Sequence, residues 1–197
     1  MNNKESLISD YIERSIQTKK ELQKTKVEVI AQIAELILDA YRQGKKVVWF
    51  GNGGSAADAQ HLACELVSRF YIERRALASI ALTTNTSELT AIANDYDFDQ
   101  VFARQVEALV NPGDIVIGIS TSGNSKNVIE GIIKAKNLGA ITIAFTGASR
   151  GKLNGKVDYL MSVPSEITPH IQETHIMIGH IICHLVEKEL FGDKNEK

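Results

Sequence analysis

Two short apolar runs constrain this chain most, because each is closed by a loop of small polar residues that leads into a helical pattern. Val47-Val48-Trp49-Phe50 ends in Gly51-Asn52-Gly53-Gly54, and helical periodicity follows from about residue 56 to 70. Asp114 to Ile119 ends in Ser120-Thr121-Ser122-Gly123-Asn124-Ser125, and a helix follows near 126–138. Further strand-like runs lie at 78–82, 140–145 and, more weakly, 157–163. Helical patterns fill 86–94, 100–110 and 170–190. Strands without polar alternation, separated by helices, predict an α/β fold: a doubly wound parallel sheet covered on both faces.

Ahead of the first strand, residues 4–43 read as helix, with Ile8, Ile12 and Ile16 at i+4 spacing and Ile30, Ile33, Ile37 and Tyr41 repeating the pattern. Between them, Gln17 to Lys26 carries only Leu22 among polar residues. That stretch is either loosely packed helix or a break between two helices. A polar leading helix covers little of its own core, so it is expected to meet another subunit. With no repeat and no long linker, residues 1–197 are expected to form one domain: a helical extension over 1–44 and an α/β core over 45–190.

Composition narrows the partners. With 44% hydrophobic and 23% charged residues the chain is of ordinary globular type. Lys+Arg 22 against Asp+Glu 24 gives a net charge of −2, which disfavours nucleic acid as the main partner. No run of roughly 18 apolar residues is present, so no membrane span is expected. No signal peptide is read at the start, and the two cysteines cannot frame a disulfide scaffold, so a cytoplasmic setting is expected. Cys64 and Cys183 are expected to pack in the core.

Both loops are expected at the carboxyl ends of strands, where open α/β sheets bind ligands. In the first, Ser55 and Asp58 fit a capping pattern with Ser55 as N-cap. Asp58 would then lie in the first turn and compete with a phosphate for the helix end, so this loop suits sugar hydroxyls. The second offers four hydroxyls, from Ser120, Thr121, Ser122 and Ser125, with Lys126 and no acid in the first turn. It is the better phosphate cradle. Three weaker matches fall away. Gly51, Gly53 and Ala56 fit a dinucleotide pattern, but Leu82-Thr83-Thr84 lacks the acid that should end the next strand. Gly147 to Lys152 is one residue short of a phosphate-binding P-loop and lacks its Ser/Thr. Asp95, Asp97 and Asp99 recur like a calcium loop, but Gln100 stands where glycine is required.

For chemistry, His61 and Glu65 share a helix face at i+4 spacing. The C-terminal helix carries Gln172, Glu173, His175, His180 and His184. Spacing alone does not choose among them. Two imidazoles and a carboxylate suit zinc with an open position, and equally a general acid and base.

The run Gly51 to His61 followed by Glu65-Leu66, with Asn94-Asp95, the Gly118 to Ser125 run and Ile171-Gln172-Glu173…His175…His180, resembles the sugar isomerase (SIS) domain family, and within it the phosphoheptose isomerases. The resemblance spans nearly the whole chain. It implies a flavodoxin-like fold and a homotetramer with active sites between subunits. It implies conversion of sedoheptulose 7-phosphate to D-glycero-D-manno-heptose 7-phosphate through an enediol, the first step toward nucleotide-activated heptoses for lipopolysaccharide core or other glycans. It implies Glu65 as base and His180 as acid, and zinc on His61, Glu65, Gln172 and His180. Substrate would touch Asn52, Gly53, Gly54, Ser55, Asn94, Asp95, Ser120, Thr121, Ser122, Ser125 and Gln172. Two alternatives stay open at this point. One is a non-catalytic SIS protein that binds sugar phosphate or a replication initiator. The other is an isomerase of a different phosphosugar, since the loops do not measure sugar length.

Overall fold

The computed structural model describes residues 3–192. Five parallel strands, β1 (Val47–Gly51), β2 (Ser79–Ala81), β3 (Ile115–Ile119), β4 (Ile141–Thr146) and β5 (Tyr159–Ser162), lie in the order β2-β1-β3-β4-β5. Seven helices surround them: α1 (Asn3–Thr25), α2 (Val27–Arg42), α3 (Gly54–Val67), α4 (Thr86–Asp95), α5 (Val101–Leu109), α6 (Lys126–Asn137) and α7 (Thr168–Phe191). The expected doubly wound α/β sheet is therefore present. The leading helix breaks at Lys26, which separates α1 from α2.

Alternation along each strand sorts the two cores. Val47 and Trp49 of β1 face α2, α3 and α7, together with Ile115, Ile117, Ile143 and Phe145. Val48 and Phe50 face α5 and α6, together with Val116 and Ala144. Both faces are buried, which is why the strands read as unbroken apolar runs. Each fully buried side chain of this size contributes about 1.5–3 kcal/mol relative to exposure.

The strand order reverses direction between β1 and β3, which are hydrogen-bonded neighbours. Their following loops leave the same sheet edge in opposite directions, toward α3 on one face and α6 on the other. That divergence opens a crevice at the switch point. Both Gly/Ser-rich loops flank it. No described helix is long and apolar enough to cross a membrane.

Of the two cysteines, Cys183 is buried as expected. Cys64 is exposed, in an open groove between α3 and the edge strand β2, with Gln60 and Val67 beside it.

Candidate functional site

The β3–α6 loop is a rigid cradle built from its own hydrogen bonds. Ser120 and Ser125 hydroxyls meet at 2.9 Å, Gly123 N–H donates to the Ser120 carbonyl, and Asn124 N–H donates to the Ser122 hydroxyl. Gly123 sits at φ 67, and a Cβ there would run into the Arg150 carbonyl. Only glycine permits both the turn and this approach. The 147–153 turn thus braces the loop from behind, with Lys152 N–H donating to Asn124 Oδ1 and Leu153 N–H to the Gly123 carbonyl. Ser125 is the N-cap of α6 but makes no side-chain cap bond. The helix end keeps unclaimed N–H groups, which suits an anion.

The β1–α3 loop departs from expectation in one respect. The residue before α3 is Gly53 at φ 56, and no side chain caps the helix. Ser55 is the second helical residue and is buried, so it is not the N-cap. Gly53 makes the turn that a capping serine would otherwise have fixed. Asp58 consequently falls a turn into α3, outside the first turn. Its Oδ2 is buried without a partner among the described residues. Burial pushes its carboxyl up to about 6, against the pull of His61.

The two loops are tied together by Asn52 and Asn127, whose amides exchange hydrogen bonds of 2.8 Å in both directions. Asn127 was missed from sequence. A polar residue in the first turn after the loop was the only signal for it.

Helices α3 and α7 run side by side in the same direction. Gly179 brings them close, because a Cβ there would strike Leu62. Across this seam His61 Nε2 lies 2.8 Å from His180 Nε2 and 3.2 Å from Glu65 Oε1. The ligand atoms of these three residues fall within 4.8 Å of one another, a group able to hold a metal ion. His61 Nε2 bears at most one proton, so it can donate to only one of these two neighbours at a time. Phe70 flanks it, its ring centroid 5.7 Å from that of His180.

The remaining expected residues are distributed as follows. Gln172 lies against Gly54, where a Cβ would overlap its amide. That contact is at the start of α3, and His180 is about 12 Å further along the α7 axis. Within one chain, then, Gln172 belongs with the first loop rather than with the histidine pair. Asn94 donates to Asp95 at 2.9 Å on the exposed end of α4. Asp95 borders a 310 Å³ groove with Tyr96 and Arg104, away from the His61 cluster. Ser122 is exposed and Ser120 buried, so the cradle's open face is carried by Thr121, Ser122 and Ser125. His175 is in the core. Its Nε2 bonds to the Thr146 carbonyl, and burial pulls it down to about 4.

Residues 10–147 match the SIS domain family, and the chain belongs to that family. Within it the chain groups with the phosphoheptose isomerases. It is 52% identical over 191 residues to the phosphoheptose isomerase of Clostridium acetobutylicum, covering 96% of this chain and 97% of that one. Its structure resembles that of a phosphoheptose isomerase from Francisella tularensis, with a TM-score of 0.92 and 38% identity over 94% of this chain and 99% of that one. The Neisseria gonorrhoeae phosphoheptose isomerase gives a TM-score of 0.89 and 44% identity over 93% and 98% of the two chains.

Proposed function

We propose that this protein isomerises sedoheptulose 7-phosphate to D-glycero-D-manno-heptose 7-phosphate. The observation that carries the reading is the meeting of His61, Glu65 and His180 beside a switch-point crevice walled by a phosphate-type loop. Identity of about half with phosphoheptose isomerases over nearly the whole chain supports the substrate class.

The chemistry moves one proton between neighbouring carbons. The β3–α6 loop takes the phosphate on the α6 N–H groups and on Thr121, Ser122 and Ser125. Asn52 and Gly53 of the first loop, Gly54 and Ser55 at the start of α3 and Gln172 of α7 are assigned to the sugar. Glu65 removes a proton from C1, and that electron pair becomes the C1–C2 double bond. His180 gives a proton to the C2 oxygen, completing a cis-enediol. Loss of the O1 proton with return of a proton to C2 yields the aldehyde.

Two imidazoles and a carboxylate with an open position match a zinc donor set. The His61–His180 separation of 2.8 Å is shorter than the about 3.3 Å between ligands of tetrahedral zinc, so a small opening of the pair would seat the ion. His61, Glu65 and His180 would hold it, and Gln172, expected as a fourth ligand, lies against Gly54 and outside this donor set in the single chain. When bound, zinc supplies Lewis acidity toward the sugar oxygens. A carboxylate lone pair given to a metal cannot accept a proton in the same step, so Glu65 serves one role at a time.

The assembly is a homotetramer in this reading. Leu7, Ile8, Tyr11, Ile12 and Ile16 expose an apolar stripe along α1, a face suited to a contact between subunits. Asn94 and Asp95, apart from the cluster within one chain, are assigned to a site shared between subunits. The setting is cytoplasmic, and the product enters nucleotide-activated heptose formation.

The test is turnover of sedoheptulose 7-phosphate in D2O followed by NMR, repeated after chelation and after zinc is restored. Heptose phosphate carrying deuterium at C2 is expected. A folded protein that binds the sugar phosphate yet neither converts nor exchanges it would overturn the proposal.

A further inference from the structure

Residues 68–76, between α3 and β2, form no helix or strand, yet a buried ion pair organises them. Arg74 Nε and Glu187 Oε1 lie 2.9 Å apart, with side chains 1% and 2% exposed. Burying two charges is costly unless their remaining hydrogen-bonding capacity is also met, and here it is. The Glu187 carboxylate accepts from the backbone N–H of Phe70 at 2.8 Å, Tyr71 at 2.5 Å and Ile72 at 3.0 Å. Burial pushes this carboxyl upward, but those bonds together with Arg74 outweigh it and hold it below the usual range. The guanidinium donates to the carbonyls of Leu66 at 2.9 Å, Ser68 at 3.1 Å and Arg75 at 3.1 Å, and through Nη2 to the carbonyl of Glu65 at 2.9 Å.

The pair therefore joins both helices of the seam. Arg74 closes the last turn of α3, where carbonyls lack helical partners and a cation is favoured. Glu187 lies two turns beyond His180 on α7 and holds the segment that carries Phe70, whose ring stands beside His180. An apolar pair of similar size would stabilise as well or better. What the ionic pair adds is geometry, fixing several backbone groups on both sides of the seam.

We propose that Arg74 and Glu187 are positioning residues for the isomerisation: they fix the α3 turn that bears Glu65 and the Phe70 ring that abuts His180, without touching substrate. The inference rests on the roles given above to Glu65 and His180.

The test compares Arg74→Lys, Glu187→Gln and Phe70→Leu in the full chain, with Glu65→Gln alongside, all assayed well below each variant's melting temperature. Lysine keeps the charge but loses the fork that reaches several carbonyls. In Arg74→Lys and Glu187→Gln, kcat is expected to fall about tenfold to a hundredfold, as for a displacement of about 1 Å. KM for the sugar phosphate is expected to stay within about threefold, because the pair makes no contact with the β3–α6 loop. Phe70→Leu leaves the ion pair intact and tests the arm toward His180 if the other two variants melt early. Its kcat is expected to fall about threefold to tenfold with the melting temperature little changed. Folded variants with wild-type kcat, or a Phe70→Leu enzyme with wild-type kcat, would overturn the proposal. So would a loss that appears in KM as much as in kcat. Turnover by Glu65→Gln at the wild-type rate would instead remove the assignment on which the proposal rests.

Discussion

The two halves of the proposed site are built in different ways. The β3–α6 loop offers backbone N–H groups and short hydroxyls, and its shape is set locally, by Gly123 and by the turn at 147–153. The α3–α7 seam presents long side chains, His61, Glu65 and His180, and His180 comes from a helix distant in sequence from the other two. A backbone cradle tolerates changes elsewhere but not a Cβ at its turn. A side-chain cluster tolerates local change but not a shift of its helices. Binding and chemistry should therefore fail separately.

The largest expected effect is in the seam. Glu65→Gln keeps the shape and removes the proposed base, so kcat should fall about 10²–10⁴-fold, read by steady-state kinetics. Removal of metal by chelation comes next if zinc is resident. Activity should fall and return with zinc, and calorimetry should detect zinc binding that His61→Ala abolishes. In the cradle, Gly123→Ala puts a Cβ against the Arg150 carbonyl. The loop must shift, at a cost of about 1–3 kcal/mol. The loss should appear mainly as a KM raised about five- to a hundredfold, with kcat on saturating substrate much less affected.

The smallest effect is on stability alone. Asp58 has its carboxyl raised to about 6 by burial, while an unfolded aspartate ionises near about 3.9. Below both values the group is protonated in either state and costs nothing. As pH rises from about 4 to about 6, the unfolded chain releases its proton first and wild-type stability falls. Asp58→Asn escapes that loss. It should raise Tm by about a few degrees at pH 7 and by nothing near pH 3.5, seen in thermal melts across that range. An equal gain at both pH values would mean that folding does not shift the Asp58 carboxyl.

The same contrast decides what the sequence discloses. The sheet was legible because strands buried on both faces must be continuously apolar, and the cradle was legible because its hydroxyls and glycine are contiguous. His61 and Glu65 were legible as an i, i+4 pair. Ser55 is not the cap because the turn at Gly53 starts the helix two residues earlier. Gln172 could not be placed by spacing, since its contact with Gly54 belongs to the packing of α7 on α3. Asn127 was hidden because its partner, Asn52, lies on another loop. Arg74 and Glu187 left no pattern at all. They stand 113 residues apart and meet only when both helices are in place.

The account's central claim is that binding and proton transfer reside in separate halves of the proposed site, the β3–α6 loop and the α3–α7 seam. The most direct measurement follows Glu65→Gln with sedoheptulose 7-phosphate deuterated at C1, combining calorimetric binding with NMR detection of deuterium washout. The account predicts a dissociation constant within about threefold of wild type and no washout. Washout at the wild-type rate, or a loss of binding as large as the loss of turnover, would contradict it.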